Sequence, residues 1–168
     1  MHSRSYRRIL EVVLLAAFSG CAQQPSAVSK SESAPTQAPM KESEVWLKRN
    51  LQNNDVRQTS TGLQYKVLRT TQNCFPDPKV PVVVHYKGSF TDGSVFDSSY
   101  DRGVPGRYPL DKMIAGWTEG IPMMRQGELW EFYIPPKLAY GDKGSPPVVK
   151  PDAVLIFQIE LVKAERCK

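Results

Sequence analysis

The residues with the most distinctive chemistry lie in the stretch VVVHYKGSFTDGSVFDSS, at positions 82–99. Asp97 is its unusual member, because a carboxylate directly follows Phe96, whose ring should point inward. Burying an Asp is costly unless it is paired or hydrogen-bonded, so a carboxyl at this position indicates a functional group. The alternative is that residues 97–99 form an exposed turn or cap, and spacing alone does not decide between the two.

Aromatic residues occur close to the ends of the predicted elements, where they could converge. They are Tyr86, Phe96, Tyr108, Trp117, Tyr140 and Phe157. An apolar cleft with few polar groups is the usual form of a site for a small ligand or a peptide. Each aromatic residue taken singly is also consistent with a place in the core. Together with Asp97 they favour a pocket.

Charge and histidine content argue against two other kinds of site. The formal net charge is +5, but the basic residues are scattered, with no Lys/Arg run, so nucleic acid is not predicted as a partner. The only histidines are His2, in the N-terminal leader, and His85, which alternation places on the outer face of a strand. A histidine-based catalytic centre is therefore not predicted.

Period-2 alternation predicts an antiparallel sheet for the region from Thr61 to the end of the chain. Around Tyr86, Val82, Val84 and Phe90 fall on the same face as the tyrosine. We predict four or five strands and a helical segment of one or two turns. The strands cover 62–68, 80–90, 107–110, 127–134 and 153–162, and the helical segment covers 111–117. Asp111 would cap the helical segment and Gly116 would end it. This pattern predicts an α+β domain whose sheet wraps a short helix.

The first twenty residues predict a signal peptide. Three arginines precede an apolar run at positions 9–18, which is too short for a permanent membrane anchor. Phe18-Ser19-Gly20-Cys21 resembles a bacterial lipoprotein cleavage box, in which Cys21 becomes lipidated. An ordinary signal peptide that contains a cysteine is the alternative. Removal of residues 1–20 takes away three arginines and one glutamate, which lowers the formal charge to +3.

The rest of the chain divides by composition. Residues 21–40 carry the lipidated cysteine and a flexible linker rich in Ser, Ala, Gln and Pro, which buries too little surface to fold. Residues 41–58 predict a short helical lead-in, and 59–168 form one globular domain. Once Cys21 is lipidated, Cys74 and Cys167 remain as an even pair in an oxidising compartment.

Four motifs together resemble the FK506-binding protein (FKBP) family of peptidyl-prolyl cis-trans isomerases. They are VVVHYKGSFTDGSVFDSS, MIAGWTEGIPMM, IPPKLAYGDKGSPP and VLIFQIEL, in order over residues 61–163. The opening TGLQYKVL and the export signal are similar to the Mip and FkpA-like bacterial branch. The resemblance implies an FKBP-like half-open antiparallel sheet around one short α-helix, with the active cleft between helix and sheet. The linker would be a disordered N-terminal tether.

The resemblance also implies the site residues. Catalytic roles fall to Asp97, Tyr140 and Tyr86, with Asp97 as an orienting group tied to Tyr86 rather than a general base. The Tyr140 hydroxyl and the Ile114 backbone N–H would donate to the substrate carbonyl. The substrate-binding walls are Phe96, Met113, Ile114, Trp117, Val148, Val149 and Phe157, with Trp117 as the floor.

Three departures from the family pattern concern the rim of the cleft. Val148-Val149-Lys150-Pro151 replaces the commoner Ile-Ile-Pro-Pro, which we expect to loosen the rim. Gly106 falls where some members have an aromatic wall, which predicts weaker ligand affinity. Ser145 stands where a histidine is often found, so one polar contact is absent.

The resemblance implies a prolyl isomerase that assists the folding of exported proteins and needs no cofactor or metal. Expected partners are proline-containing polypeptides, macrolide inhibitors of the FK506 and rapamycin type, and a membrane reached through the lipid anchor. We expect a monomeric lipoprotein on the outer membrane, facing the periplasm or the cell surface. In this fold the strands beside Cys74 and Cys167 are antiparallel neighbours, so a disulfide could join them. A non-catalytic FKBP-fold chaperone or binding module is the alternative.

Overall fold

An antiparallel sheet dominates the computed structural model, which describes residues 40–167. Its elements are α1 (Glu42–Asn50), β1 (Arg57–Gln58), β2 (Gln64–Arg69), β3 (Val82–Ser89), β4 (Val95–Ser98), β5 (Gly106–Tyr108), α2 (Ala115–Gly120), β6 (Leu129–Ile134) and β7 (Leu155–Ala164). The strand order is β1-β2-β6-β7-β3-β4, and β5 also pairs with β3. This arrangement confirms the predicted α+β class and the half-open sheet around a short helix.

The described residues form seven strands, not the four or five that were predicted. The two strands that were not predicted are short: β1 has two residues and β4 has four, whereas the three-residue β5 overlaps the predicted strand 107–110. Alternation needs about four residues to be visible, so such segments carry little sequence signal. The long strands follow the prediction, with Val82, Val84 and Tyr86 buried on the inner face of β3.

The predicted boundaries of the central helix are wrong. A 3-10 turn covers Leu110–Lys112, and α2 then runs over Ala115–Gly120, with Gly116 inside it rather than at its end. A Cβ on Gly116 would lie 2.6 Å from the Ile134 Cγ2, and one on Gly120 would lie 2.5 Å from a Phe132 ring carbon. The glycines are therefore needed for the close approach of α2 to β6, and Trp117, between them, is only 4% exposed.

Helix α1 packs on the outer face of the sheet, above β2 and β6. The Asn50 Nδ2 donates to the Gln64 Oε1 at 2.9 Å, and the Gln64 Nε2 donates to the Leu47 carbonyl at 3.0 Å. Trp46 packs against Tyr133, with ring centroids 5.9 Å apart. Because these polar groups satisfy one another, Gln64 can be almost fully buried beneath the helix. Helix α1 therefore covers the outer face of the sheet around Gln64 and Tyr133.

The two cysteines of the domain are joined in the structure. Cys74 precedes β3 and Cys167 follows β7, and the Cα atoms of this disulfide are 5.4 Å apart. The Asp77 N–H donates to the Arg166 carbonyl at 2.9 Å, beside the bond. The end of β7 is thus attached to the segment that leads into β3.

Several predictions concern residues that the structure does not describe. The signal peptide (1–20), the lipidated Cys21 and the linker up to residue 39 lie outside the described residues. Within residues 40–167, no helix combines the length and the apolar character that crossing a membrane requires.

Candidate functional site

A cluster of aromatic rings fills the space between α2 and the inner face of the sheet. Trp117 is at its centre, with its ring centroid 5.2 Å from Tyr86, 5.6 Å from Tyr108 and 5.3 Å from Phe157. The three contacts are edge-to-face, the favoured arrangement for aromatic pairs. The buried Trp117 Nε1 has no hydrogen-bond partner among the described residues. The indole is therefore held at the centre of the cluster by three neighbouring rings.

Phe96 extends this cluster towards the open end of the sheet. Its ring lies 5.5 Å from Phe157 and 4.8 Å from Phe90. The register between β3 and β4 shifts at Gly88/Ser89, and a bulge of this kind re-aims side chains. A Cβ on Gly88 would lie 2.6 Å from the Phe96 ring, so the glycine lets that ring lie against β3.

A polar group lies at the edge of the cluster. The Tyr86 hydroxyl donates to the Asp97 Oδ2, and the Arg102 Nη1 donates to the Asp97 Oδ1 at 2.5 Å. The Arg102 Nη2 also donates to the Tyr86 hydroxyl at 2.9 Å. Each of the three side chains contacts the other two, while the Asp97 side chain stays 43% exposed. A phenol from the ring cluster is thereby connected to a solvent-accessible ion pair.

The ionisation states of this group follow from its contacts. Burial, followed by the hydrogen bond to Asp97, raises the pKa of Tyr86 above its usual range. Burial alone would raise the pKa of Asp97, but the hydrogen bonds from Tyr86 and Arg102 together hold it below its ordinary value. Near neutral pH the group therefore contains a protonated phenol and an ionised carboxylate. A carboxylate with a lowered pKa is a weak base, and its role is electrostatic.

The residues after Asp97 are not an exposed turn or cap. Ser98 and Ser99 are buried, and β4 extends through Ser98. The Ser99 Oγ accepts a hydrogen bond from the Tyr86 N–H at 2.7 Å and lies 2.9 Å from the His85 Nδ1. These contacts hold the backbone of β3 at the point from which the Tyr86 side chain enters the cleft. The interpretation of His85 as structural agrees with this position.

Of the remaining predicted site residues, some pack against the core that contains the ring cluster and others are exposed. Met113 and Ile114, directly before α2, pack against the core that contains the ring cluster, and Val149 is buried in that core. Val148 is 53% exposed and lines a different cavity. Tyr140 is 43% exposed, and no ring contact or hydrogen bond joins its side chain to the cluster within residues 40–167. Tyr140 and Val148 are therefore at the margin of the site.

Two contributors were not among the predicted site residues. Arg102 comes from the irregular segment between β4 and β5, and only the need of Asp97 for a cation could have indicated it. Tyr108, counted among the aromatic residues but not among the site residues, forms one wall of the cluster. A Cβ on Gly106 would lie 2.3 Å from the Tyr108 hydroxyl, so the glycine leaves room for this ring.

Comparison with known proteins places the chain in a family. The family described as "FKBP-type peptidyl-prolyl cis-trans isomerase" matches residues 74–162. The peptidyl-prolyl cis-trans isomerase Mip of Coxiella burnetii is 42% identical over 124 residues, which are 74% of this chain and 54% of the relative. The isomerase FkpA of Aeromonas hydrophila is 42% identical over 126 residues, 75% of this chain and 47% of the relative. The chain spans about half the length of these curated relatives.

Solved structures agree with the sequence matches. The crystal structure of a peptidyl-prolyl cis-trans isomerase from Pseudomonas syringae aligns with a TM-score of 0.70 and 32% identity, over 77% of this chain and 96% of that chain. The crystal structure of FkpA from Escherichia coli aligns with a TM-score of 0.68 and 38% identity, over 72% of this chain and 56% of that chain. The match to the Pseudomonas syringae isomerase extends over nearly the whole length of that chain.

Proposed function

The chain belongs to the family of FKBP-type peptidyl-prolyl cis-trans isomerases, and from this premise we propose that it catalyses rotation about X-Pro bonds in polypeptides. The observation that carries the proposal is the ring cluster around Trp117, with the Tyr86–Asp97–Arg102 group at its edge. The cluster brings apolar rings together beside a small number of fixed polar groups.

The chemistry requires no covalent step. Rotation about an X-Pro bond crosses a barrier of about 18–20 kcal/mol, because twisting removes the amide resonance. Any environment that favours the twisted amide over the planar one speeds the rotation. The planar amide is the more dipolar form and loses more on leaving water, so a dry aromatic cleft favours the twisted form. Lowering the barrier by about 5 kcal/mol would accelerate rotation more than a thousandfold.

The ring cluster would hold the proline. Trp117 would provide the floor, Phe157 and Phe96 one side, and Tyr108 the other, since Phe157 and Tyr108 both contact Trp117 and Phe96 contacts Phe157. Met113 and Val149 complete the apolar wall. The Trp117 Nε1 is buried and has no hydrogen-bond partner among the described residues, so the donors to the substrate are other groups.

The polar groups would orient the peptide. The ionised Asp97, held by Tyr86 and Arg102, presents a fixed negative charge at the edge of the cleft. The Ile114 N–H, at the start of α2, and the Tyr140 hydroxyl would donate to the carbonyls that flank the rotating bond. Holding one side of the bond while the other turns is the positioning role that such donors supply. Val148, further out, would contact the chain beyond the proline.

A protease-coupled assay on a short X-Pro peptide tests this proposal. The protein should accelerate the cis-to-trans step, FK506 should inhibit it, and Asp97→Ala and Tyr140→Phe should each lower kcat/KM. Activity that neither FK506 nor these substitutions alter would contradict the assignment. Failure of a folded protein to accelerate the reaction, combined with suppression of aggregation of a proline-free client, would favour the chaperone alternative.

The proposal extends to where the enzyme acts. The basic n-region, the short apolar run and the Phe18-Ser19-Gly20-Cys21 box support export and lipidation of Cys21. Ala22, rather than Asp, after the cysteine favours the outer membrane. A monomer tethered there would act on proteins that fold in the periplasm or at the cell surface, where proline isomerisation is slow enough to limit folding. Mass spectrometry of the membrane fraction should find an acylated Cys21, and an unmodified thiol there would exclude the anchor.

A further inference from the structure

A cavity of about 490 Å³ lies outside the ring cluster, between the first turns of α1 and the turn that joins β3 to β4. We call it the helix groove. Trp46 lines it from α1, Phe90 and Asp92 from the β3–β4 turn, and Val148 and Lys150 from the loop before β7. The groove exists only because α1 packs against the domain, so its shape depends on the segment that precedes the sheet.

Direct contacts fix the helical wall of the groove. The Lys41 Nζ donates to the Asp142 Oδ1 at 2.6 Å and to the Asp152 Oδ1 at 3.3 Å. The Ser43 Oγ donates to the Asp152 Oδ2 at 2.7 Å. These contacts attach the start of α1 to two places, Asp142 and Asp152, in the segment between β6 and β7. The packing of α1 on the outer face of the sheet holds the rest of the helix. A ligand would therefore enter a preformed groove and would not have to order it.

The groove is connected to the ring cluster through Phe90. From Trp117, the rings follow one another in steps of 5.3 Å to Phe157, 5.5 Å to Phe96 and 4.8 Å to Phe90. An extended polypeptide advances about 3.3–3.6 Å per residue, so it covers three such steps with about five residues. A chain with its proline on Trp117 can thus place a side chain in the helix groove.

The lining of the groove combines apolar surface with negative charge. Phe90, Trp46 and the exposed Val148 supply the apolar part. Lys150 lies near Asp92 and offsets its charge, and Asp152 is paired with Lys41. Glu42 lines the groove and makes no ion pair within the described residues. The Glu42 carboxylate, without an ion-pair partner among the described residues and beside apolar surface, would complement a ligand that has a cationic side chain next to an apolar side chain.

We propose that the helix groove is a second binding subsite for the substrate polypeptide, and that it selects a Lys or Arg next to an apolar residue about five positions from the isomerising proline. The proposal rests on the proposed isomerase function, because it takes the orientation of the substrate from the ring cluster. It makes α1 a determinant of substrate choice. Short X-Pro peptides would not reach the groove and would not sense its charge.

Two peptides and two variants test the subsite. Both peptides have a central Leu-Pro. The Lys peptide carries a Leu-Lys pair five positions away on each side, and the Glu peptide carries a Leu-Glu pair at the same positions. A Leu-Pro tetrapeptide, too short to reach the groove, is the reference. Glu42→Lys reverses the charge in the groove. Glu44→Lys is the matched control, because Glu44 lies on the same helix but lines a separate cavity of about 570 Å³.

We expect the wild-type protein to show a KM for the Lys peptide that is about three- to tenfold lower than for the Glu peptide. Glu42→Lys should abolish or reverse this preference, and Glu44→Lys should keep it. The kcat/KM for the tetrapeptide should stay unchanged in both variants. Equal KM values for the two long peptides in the wild type, or equal effects of the two substitutions, would overturn the subsite.

A binding measurement separates this proposal from the isomerase function. In an NMR titration of the protein, the Lys peptide should shift the amide resonances of residues 91–94 at lower concentration than the Glu peptide, and Glu42→Lys should remove the difference. This readout needs no turnover, so a protein that fails to isomerise the tetrapeptide can still confirm or exclude the groove. Absence of shifts at residues 91–94 with the Lys peptide would exclude it.

Discussion

The hydroxyl of Tyr86 donates a hydrogen bond to the carboxylate of Asp97 across the paired strands β3 and β4. One partner belongs to the ring cluster around Trp117 and the other reaches solvent, where Arg102 contacts both. This link fixes the tyrosine ring, which packs against Trp117, and the charge at the edge of the cleft as one unit.

Asp97→Asn should lower kcat/KM for a short X-Pro peptide about tenfold, a loss of about 1.4 kcal/mol of transition-state stabilisation. The amide keeps the shape of the carboxyl group but removes the charge and one acceptor for Tyr86 or Arg102. Asp101→Asn, four residues away, is the matched control and should retain full activity. Equal activity of the two variants in a protease-coupled assay would exclude an electrostatic role for Asp97.

Stability should depend on the ionisation of Asp97 in acid. The pKa of this carboxyl is lower in the folded protein than its ordinary value of 3.8, so the folded state binds the proton less readily. The stabilisation is therefore complete above about pH 5 and disappears as the pH falls through the folded pKa. The difference in free energy of unfolding between wild type and Asp97→Asn should be constant from pH 5 to 8 and shrink below pH 4. A difference that grows in acid would contradict the direction of the shift.

Gly116→Ala should destabilise the domain by about 1–3 kcal/mol, the usual cost of overpacking. Its new methyl group would lie 2.6 Å from the Ile134 Cγ2 and 2.8 Å from the Cδ1, so α2 would have to move away from β6. On helix propensity alone the same substitution would stabilise by up to about 1 kcal/mol, so the sign of the change is informative. Urea unfolding measures the loss of stability caused by Gly116→Ala in the wild-type protein and in the Ile134→Val variant. The loss should be smaller in the Ile134→Val variant, because valine lacks the Cδ1 atom.

Reduction of the bond between Cys74 and Cys167 should lower the free energy of unfolding by about 4–5 kcal/mol. The two residues are 93 positions apart, and a cross-link of that span removes much of the entropy of the unfolded chain. Urea unfolding with and without reductant provides the measurement. The Cys74→Ser/Cys167→Ser variant is the control and should be insensitive to reductant. Two reactive thiols at these positions in the unreduced mature protein would show that the bond is absent.

The sequence was most informative where a residue pattern acts over a long element. Alternation along β3 correctly assigned Val82, Val84 and Tyr86 to the inner face, because a strand of eight residues repeats the pattern several times. It failed for β1 and β4, which have two and four residues, and for α2, where Gly116 signals a helix end locally. That glycine is required by its distance to Ile134, a long-range property that no local pattern contains.

The polar part of the site was only partly predictable. The odd position of Asp97 indicated a functional carboxylate, and the family motif connected it to Tyr86. Arg102 comes from an irregular segment, and its two hydrogen bonds arise only when that segment folds back over β4. The packing of α1 on Gln64 was likewise invisible, since a buried glutamine resembles a surface one in sequence.

The most direct test asks whether the ring cluster around Trp117 catalyses proline rotation. It measures the rate of cis–trans exchange of a Leu-Pro tetrapeptide by NMR exchange spectroscopy with increasing amounts of the protein. We predict that the exchange rate rises in proportion to protein concentration. One equivalent of FK506 should return the rate to its uncatalysed value and shift the resonances of Trp117 and Phe157. A folded protein that leaves the exchange at its uncatalysed rate, or whose catalysis persists with FK506 bound at Trp117, would contradict it.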